Sequence, residues 1–326
     1  MIPKGRYIAE LGEGDKVKAV FMVAERRLLT ARNGKPYAKL VLRDRTGEVN
    51  GFIWEGAADQ MAGIEPGDVV GVRGNAESYE NRMQVRIEKI VRLSETEVDM
   101  ADIIPTTKAN REDLLTCLDR LLETIKDPSI KRLIEAVLAR EGVKDAFCKA
   151  PAAKGVHHNY IGGLLEHTVN VLKAVDVLYP IFMNYGLNRD FLIAGAFLHD
   201  LGKIYEYSYA KMIDITAPGR LLGHVYLSSQ IVDEEISRMP GFPEELRLQL
   251  IHIILSHHGE LEYGSPKVPM TREAMFLHMV DDLDAKLAGF ASIIDATPEN
   301  ELFSAFSGIY NRYLYTKVYE AGAEEE

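Results

Sequence analysis

Over the first 95 residues, apolar side chains recur at every second position. Residues 37–43 run Tyr-Ala-Lys-Leu-Val-Leu-Arg, and residues 48–54 run Glu-Val-Asn-Gly-Phe-Ile-Trp. A period of two puts alternate side chains on opposite faces, the mark of half-buried strands. Residues 17–25, 69–73 and 83–90 follow the same rule. Turn-forming runs separate them: Arg32-Asn33-Gly34-Lys35-Pro36, Asp44-Arg45-Thr46-Gly47 and Glu65-Pro66-Gly67-Asp68. A short helix-like piece, 56–62, falls between the third and fourth strands. From Asn110 onward the apolar period lengthens to about 3.6. Leu114, Leu115, Leu118, Leu121 and Leu122 form one stripe; Leu133, Ile134, Val137 and Leu138 form another. Asp127-Pro128 supplies a cap and a first-turn proline to the second of these helices. Further helices are expected at 163–178, 189–204, 222–238, 243–256 and 271–290. Residues 96–109, with Pro105-Thr106-Thr107, read as a linker. The chain thus divides into a strand domain, 1–95, and an all-helical domain, 110–326.

Five strands with a short helix after the third is the order of an OB-fold, a small β-barrel. The stretch 40–54, with its Asp-Arg-Thr-Gly hairpin, resembles OB-folds that bind nucleic acid. Trp54, Tyr37 and Tyr79 are candidates to stack on bases, while Phe52 reads as barrel core. Arg43, Arg73, Arg82 and Arg86 are candidates to follow the phosphate backbone.

Net charge is −11, which argues against a polyanionic partner until its distribution is considered. Residues 1–95 carry 16 Lys and Arg against 14 Asp and Glu; the remainder carries 22 against 35. The strand domain is therefore mildly basic and the helical domain strongly acidic. An acidic lobe still accepts phosphates if it holds divalent metal, whose charge inverts the local field. The apolar stretch near 191–198 is too short to span a bilayer, and MIPKGRYIAE has no apolar signal segment. Cys117 and Cys148 form no CxxC pair, so a reducing cytoplasm is expected. No P-loop, GxSxG elbow or dinucleotide fingerprint occurs.

All nine histidines lie between His157 and His278. Five segments place His or Asp in apolar surroundings: Leu165-Glu166-His167-Thr168, Leu198-His199-Asp200-Leu201-Gly202-Lys203, Gly223-His224, Ser256-His257-His258-Gly259 and Val280-Asp281-Asp282-Leu283-Asp284. Unpaired polar groups there are costly, so they need partners. Imidazole with carboxylate suits Zn, Mn, Fe, Co or Ni, with Mg a further candidate. One metal would be held by His167, His199, Asp200 and Asp281. A second would be held by His224 and His257, with Asp200 bridging. Such a pair of ions binds a phosphoryl group and activates water. His257 is preferred over His258 as ligand, and His258 would face substrate or a further ion. Asp200, Lys203 and His258 are the candidate catalytic residues, with Lys203 on the scissile phosphate. His157 and His158 are candidate substrate contacts. His252 and His278 read as core or as supports for the ligands. Asp282 and Asp284 read as solvated or structural.

The ordered pattern H…HD…H…H…D resembles that of the HD-domain superfamily, whose members are mostly metal-dependent phosphohydrolases. The longer match resembles the YhaM-type 3′→5′ exoribonucleases. It comprises an OB-fold, an Ile-Pro-Thr-Thr linker, the run from His157 to Thr168, His-Asp-Leu-Gly-Lys, Leu222-Gly223-His224 and Leu255-Ser256-His257-His258-Gly259. The expected fold is thus multidomain α+β, an N-terminal five-stranded OB-fold barrel followed by an all-α HD domain. The resemblance implies Mn²⁺-type activation of a two-ion site, single-stranded RNA as main substrate with some single-stranded DNA activity, and mononucleotide products. Cyclic-dinucleotide phosphodiesterases of the HD-GYP type share the core, but their Gly-Tyr-Pro triplet is absent here.

Two other functions are compatible with the same residues. One is a phosphodiesterase or phosphatase for small or cyclic nucleotides, which would not need residues 1–95. The other is a nucleic-acid-binding protein with a closed, structural metal. No membrane partner is expected, and a homo-oligomer is compatible with the sequence.

Overall fold

The computed structural model describes the chain except residues 32–33, 80–81, 105, 155–157, 210–212, 299 and 318–326, and the side chains of Arg82 and Ala101. His157 and the Arg82 side chain, both expected to contact substrate, therefore lie outside the described residues. The chain forms two compact units, Met1–Lys108 with Ser208–Asp214, and Ala109–Tyr207 with Ile215–Glu326.

In the first unit, strands β1 (Lys16–Thr30), β2 (Pro36–Asp44), β3 (Gly47–Ile53), β4 (Val69–Tyr79) and β5 (Arg82–Arg92) close into a barrel of order β1-β2-β3-β5-β4. Among the described residues, β3 and β5 are the one pair that runs parallel. Helix α1 (Ala57–Gln60) sits between β3 and β4, as the sequence led us to expect. Alternation fills the barrel with Phe21, Val23, Leu40, Leu42, Ile53, Val70, Val85 and Ile87.

Phe52 departs from expectation. It points outward, because Val49, Gly51 and Ile53 are the inward row of β3. Residues 96–109 also differ from a free linker. Val98, Ile103 and Ile104 are buried, and the Arg45 amide donates to the Asp102 carbonyl.

A buried ion pair sits inside this unit. Lys4 Nζ lies 2.9 Å from Asp44 Oδ2, and both side chains are almost wholly inaccessible. Asp44 also accepts from the Ile8 and Thr46 amides and the Thr46 hydroxyl. Removing one member of such a pair strands the other charge. Asp44→Ala is expected to cost about 3–5 kcal/mol of stability, read by urea unfolding; a loss below about 1 kcal/mol would contradict that view.

The second unit is helical: α2 (Arg111–Glu123), α3 (Pro128–Ala139), α4 (Val143–Lys149), α5 (Gly163–Phe182), α6 (Arg189–Leu198), α7 (Lys203–Glu206), α8 (Ala217–Ser237), α9 (Glu244–Ser256) and α10 (Arg272–Asp295). In chain order a two-stranded ladder, β6 (Tyr207–Ser208) with β7 (Asp214–Ile215), falls between α7 and α8, with Ser208 and Asp214 counted in the first unit. Helix α10 packs against α5, α6 and α9. The helix expected over 189–204 stops at Leu198. His199 caps it, and Asp200-Leu201-Gly202 form a turn before α7. The turn is fixed by close packing on α8. A Cβ on Gly202 would lie 2.3 Å from the His224 carbonyl oxygen and 2.5 Å from the Ser228 amide nitrogen. Helix α8 is kinked at Gly223, one residue before His224.

Candidate metal centre

Each histidine of the cluster reaches it from the end or inner face of a helix. His167 lies in the second turn of α5, His199 caps α6, His224 follows the kink of α8, and His257 caps α9. His258 lies just beyond that cap, so it is not bound to helical geometry. This is why both neighbours converge on one place, where the sequence suggested a choice between them.

Five imidazoles share one arrangement, with Nε2 facing inward and Nδ1 facing an oxygen. His199 Nδ1 is 3.0 Å from the Ala196 carbonyl, and His257 Nδ1 is 2.7 Å from that of Ile254. His258 Nδ1 is 3.0 Å from the Tyr263 carbonyl. His167 Nδ1 is 2.7 Å from Asp284 Oδ2, and His224 Nδ1 is 2.9 Å from Glu206 Oε2. At His199, His257 and His258 an Nδ1–H bound in this way leaves Nε2 as the lone-pair nitrogen, the usual preparation of a metal ligand; the His224–Glu206 contact is close but falls outside hydrogen-bond geometry.

The inward nitrogens form two groups. His167 Nε2 lies 3.3 Å from His199 Nε2 and 3.1 Å from Asp281 Oδ1. His224 Nε2 lies 3.2 Å from His258 Nε2, and His257 joins them. Asp200 stands between the groups. Its Oδ2 is 3.4 Å from His167 Nε2 and 3.5 Å from His199 Nε2. Its Oδ1 is 3.4 Å from His224 Nε2 and 3.6 Å from His257 Nε2. Asp200 Oδ1 and His257 Nε2 are both buried and make no hydrogen bond within the described residues. A buried anionic oxygen and a lone-pair nitrogen left so close together fit a divalent cation.

Electrostatics agree with that fit. Burial works against charge on Asp200, yet Lys203 and the surrounding imidazoles hold its carboxyl well below the usual range. Burial, with His258 and His199 repelling a proton, pushes the His257 imidazole well below its ordinary value. Burial opposes a proton on His167 too, but its bonds to Asp281 and Asp284 prevail and raise it to about 10. A cation at His167 must therefore displace a proton anywhere below that pH. Apparent metal affinity should rise about tenfold per pH unit from pH 7 to 9 for one displaced proton, measured by calorimetric titration. An affinity independent of pH would contradict this.

Lys203, expected on the scissile phosphate, is buried with Nζ 2.5 Å from Asp200 Oδ2. With His258, Tyr263, His278 and Asp282 it lines a cavity of about 220 Å³ beside the cluster. His278 Nδ1 is 2.8 Å from the His257 carbonyl, so it braces the end of α9. His252 accepts from the Met270 amide. His158 meets Asp284 rather than the cavity, with its Nε2 2.9 Å from Asp284 Oδ2. Sequence reasoning missed two residues. Asp284, read as solvated or structural, holds His167, and its spacing of three from Asp281 was the available signal. No motif marks Glu206.

On the barrel, Tyr37 and Trp54 stack with ring centres 4.8 Å apart, and Phe52 and Trp54 lie 6.0 Å apart and nearly parallel. Trp54 is 44% exposed and Tyr79 61%. Lys39 and Arg86 flank Phe52 in register on the neighbouring strands. Arg73 is exposed near Glu88, whereas Arg43 is engaged by Glu48.

Residues 17–93 match the family of the OB-fold nucleic acid binding domain, and residues 164–286 match the HD domain. Fold and site thus define an OB-fold, HD-domain protein. A curated relative, the 3'-5' exoribonuclease YhaM of Geobacillus sp. (strain WCH70), is 32% identical over 317 residues, 96% of this chain and 95% of the relative. The chain belongs to the YhaM family, the family its motifs resemble. Among solved structures, the second OB-fold domain of replication protein A from Methanococcus maripaludis is 20% identical, covering 28% of this chain and 95% of that one with a TM-score of 0.24. The single-stranded DNA binding protein from Thermus aquaticus is 14% identical, covering 30% and 44%, with a TM-score of 0.23. The barrel assignment rests on strand order and the family match instead. Among the described residues no helix is long and apolar enough to cross a membrane.

Proposed function

We propose that this chain is a metal-dependent 3′→5′ exonuclease acting on single-stranded RNA, and to a lesser degree on single-stranded DNA, releasing nucleoside monophosphates. The observation that carries it is the Asp200 carboxylate, with one oxygen on each of two histidine clusters. The work divides between a nucleic-acid-binding part, residues 1–95, and a hydrolytic part, residues 110–326, joined through 96–109. A cytoplasmic location fits the two free cysteines.

Two divalent ions, manganese first among the candidates, suit the donor set. His167, His199 and Asp281 would hold one, His224, His257 and His258 the other, and Asp200 would bridge them. Bound there, they supply positive charge at the phosphoryl oxygens and lower the pKa of the attacking water. The chain's own groups do the rest. Lys203 is held by Asp200 at the cavity, where its ammonium can meet a phosphate oxygen. Burial and the neighbouring His224 lower His258 from the ordinary histidine value, so at neutral pH its ring is a ligand or acceptor rather than a cation. The stacked Tyr37, Phe52 and Trp54 offer ring faces to bases, and Lys39 and Arg86 offer charge to the backbone.

Polarity and substrate are tested with one 5′-labelled single-stranded RNA and Mn²⁺. The expected result is a ladder of progressively shorter labelled RNAs. Immediate release of a labelled mononucleotide, or turnover of small cyclic nucleotides alone, would sink the proposal.

A further inference from the structure

Two of the five clustered histidines differ from the rest. His199, His257 and His258 turn Nδ1 to backbone carbonyls, whereas His167 and His224 turn it to carboxylates. These two belong to different halves of the centre. We infer that Asp284 and Glu206 are positioning residues, each setting the metal affinity of one half independently of the other. This rests on the two-ion reading above.

The physical reason is the strength of the acceptor. A carboxylate facing Nδ1 fixes the tautomer and ring orientation and makes Nε2 a stronger donor than a neutral carbonyl does. Asp284 lies three residues after Asp281 on α10, so both face the same side of that helix. The His167 ring is therefore gripped at both nitrogens by one helix, 3.1 Å from Asp281 and 2.7 Å from Asp284.

Asp284 is itself fixed from the side of α5. Asn170 Nδ2, on the helix that carries His167, donates to Asp284 Oδ1 at 3.1 Å. His158 Nε2 lies 2.9 Å from Oδ2. His158 is buried and holds φ of 48°, a left-handed conformation uncommon outside glycine. Its carbonyl oxygen lies 2.1 Å from where a Cβ on Gly163 would stand, so its backbone is pressed onto the start of α5. Its side chain is thereby aimed at Asp284.

Glu206 grips its histidine differently. One oxygen lies 2.9 Å from His224 Nδ1, a close contact outside hydrogen-bond geometry, and the other accepts from the His224 backbone amide at 3.1 Å. Ring and main chain are thus fixed together beside the kink at Gly223. Among these contacts the two clamps share no residue, which is the structural ground for independence.

The test is a calorimetric titration of the metal-free, full-length protein with Mn²⁺, with thermal unfolding of the metal-free form alongside. Wild type should show two steps. Asp284→Asn should weaken one step by about 10–100-fold and leave the other in place, and Glu206→Gln should weaken the other by a similar factor. Asn170→Ala keeps the test open if Asp284→Asn does not fold, and should weaken the same step more mildly. A purely structural role would lower the unfolding temperature and leave both steps unmoved, which overturns the inference. So does a variant that weakens both steps equally, or two variants that weaken the same step. A single wild-type step overturns the two-ion reading together with this inference; two wild-type steps unmoved by any variant overturn this inference alone.

Discussion

Asp200→Asn is expected to lower turnover of single-stranded RNA by at least about a thousand-fold, with metal content falling in parallel. Asparagine keeps the volume of the side chain. It replaces one carboxylate oxygen by an NH2 group that can only donate, and it removes the negative charge. Both oxygens of Asp200 are used, one toward His167 and His199, the other toward His224 and His257. Neither half-site therefore escapes the change. Lys203 also loses the partner 2.5 Å from its ammonium, so part of the loss is positional. Circular dichroism and elemental analysis of the same preparation separate loss of fold from loss of metal. A folded variant with turnover within tenfold of wild type would remove Asp200 from the centre of the chemistry.

The second large effect is expected on the barrel. Trp54→Ala should weaken single-stranded RNA binding by about 1–3 kcal/mol, roughly 5- to 150-fold. The indole is the exposed middle of a row, stacked on both Tyr37 and Phe52, and Lys39 and Arg86 stand beside Phe52 on the adjoining strands. Turnover of a small chromogenic phosphodiester should stay within twofold, because such a substrate has no bases to stack. The split between the two substrates is the informative result. An enzyme for small nucleotides would show neither loss, and a change in both would place Trp54 in the structure of the barrel rather than in recognition.

The strands were legible because alternation and turn residues repeat over five segments. What was not legible depended on partners. Strand β1 runs on to Thr30, past the alternating stretch, because Leu28 and Leu29 pair with Ala38 and Tyr37 although they stay exposed. Phe52 was misplaced by residue type, since aromatics favour cores. Its own strand shows that Val49, Gly51 and Ile53 take the inward row. The break after Leu198 was hidden because it is set by the contact of Gly202 with His224, Leu227 and Ser228 of α8, more than twenty residues further on.

The inward-facing His and Asp residues of the candidate centre stand out in the sequence because those residue types recur in apolar surroundings, some at helix ends and some, such as Asp281, within a helix. The partners behind them could not, because carbonyls and carboxylates that hold an imidazole leave no motif. Glu206 is the clearest case. Asp284 was within reach through its spacing from Asp281 but was outweighed by the ordinary expectation of a solvated helix face.

The central claim is a two-ion centre divided by Asp200, and anomalous diffraction from crystals grown with Mn²⁺ tests it most directly. The expected map has two peaks roughly 3.5–4 Å apart, one beside His167, His199 and Asp281, the other beside His224, His257 and His258, with Asp200 between them. A single peak with four protein ligands and no open position, or no peak at these residues, would contradict it.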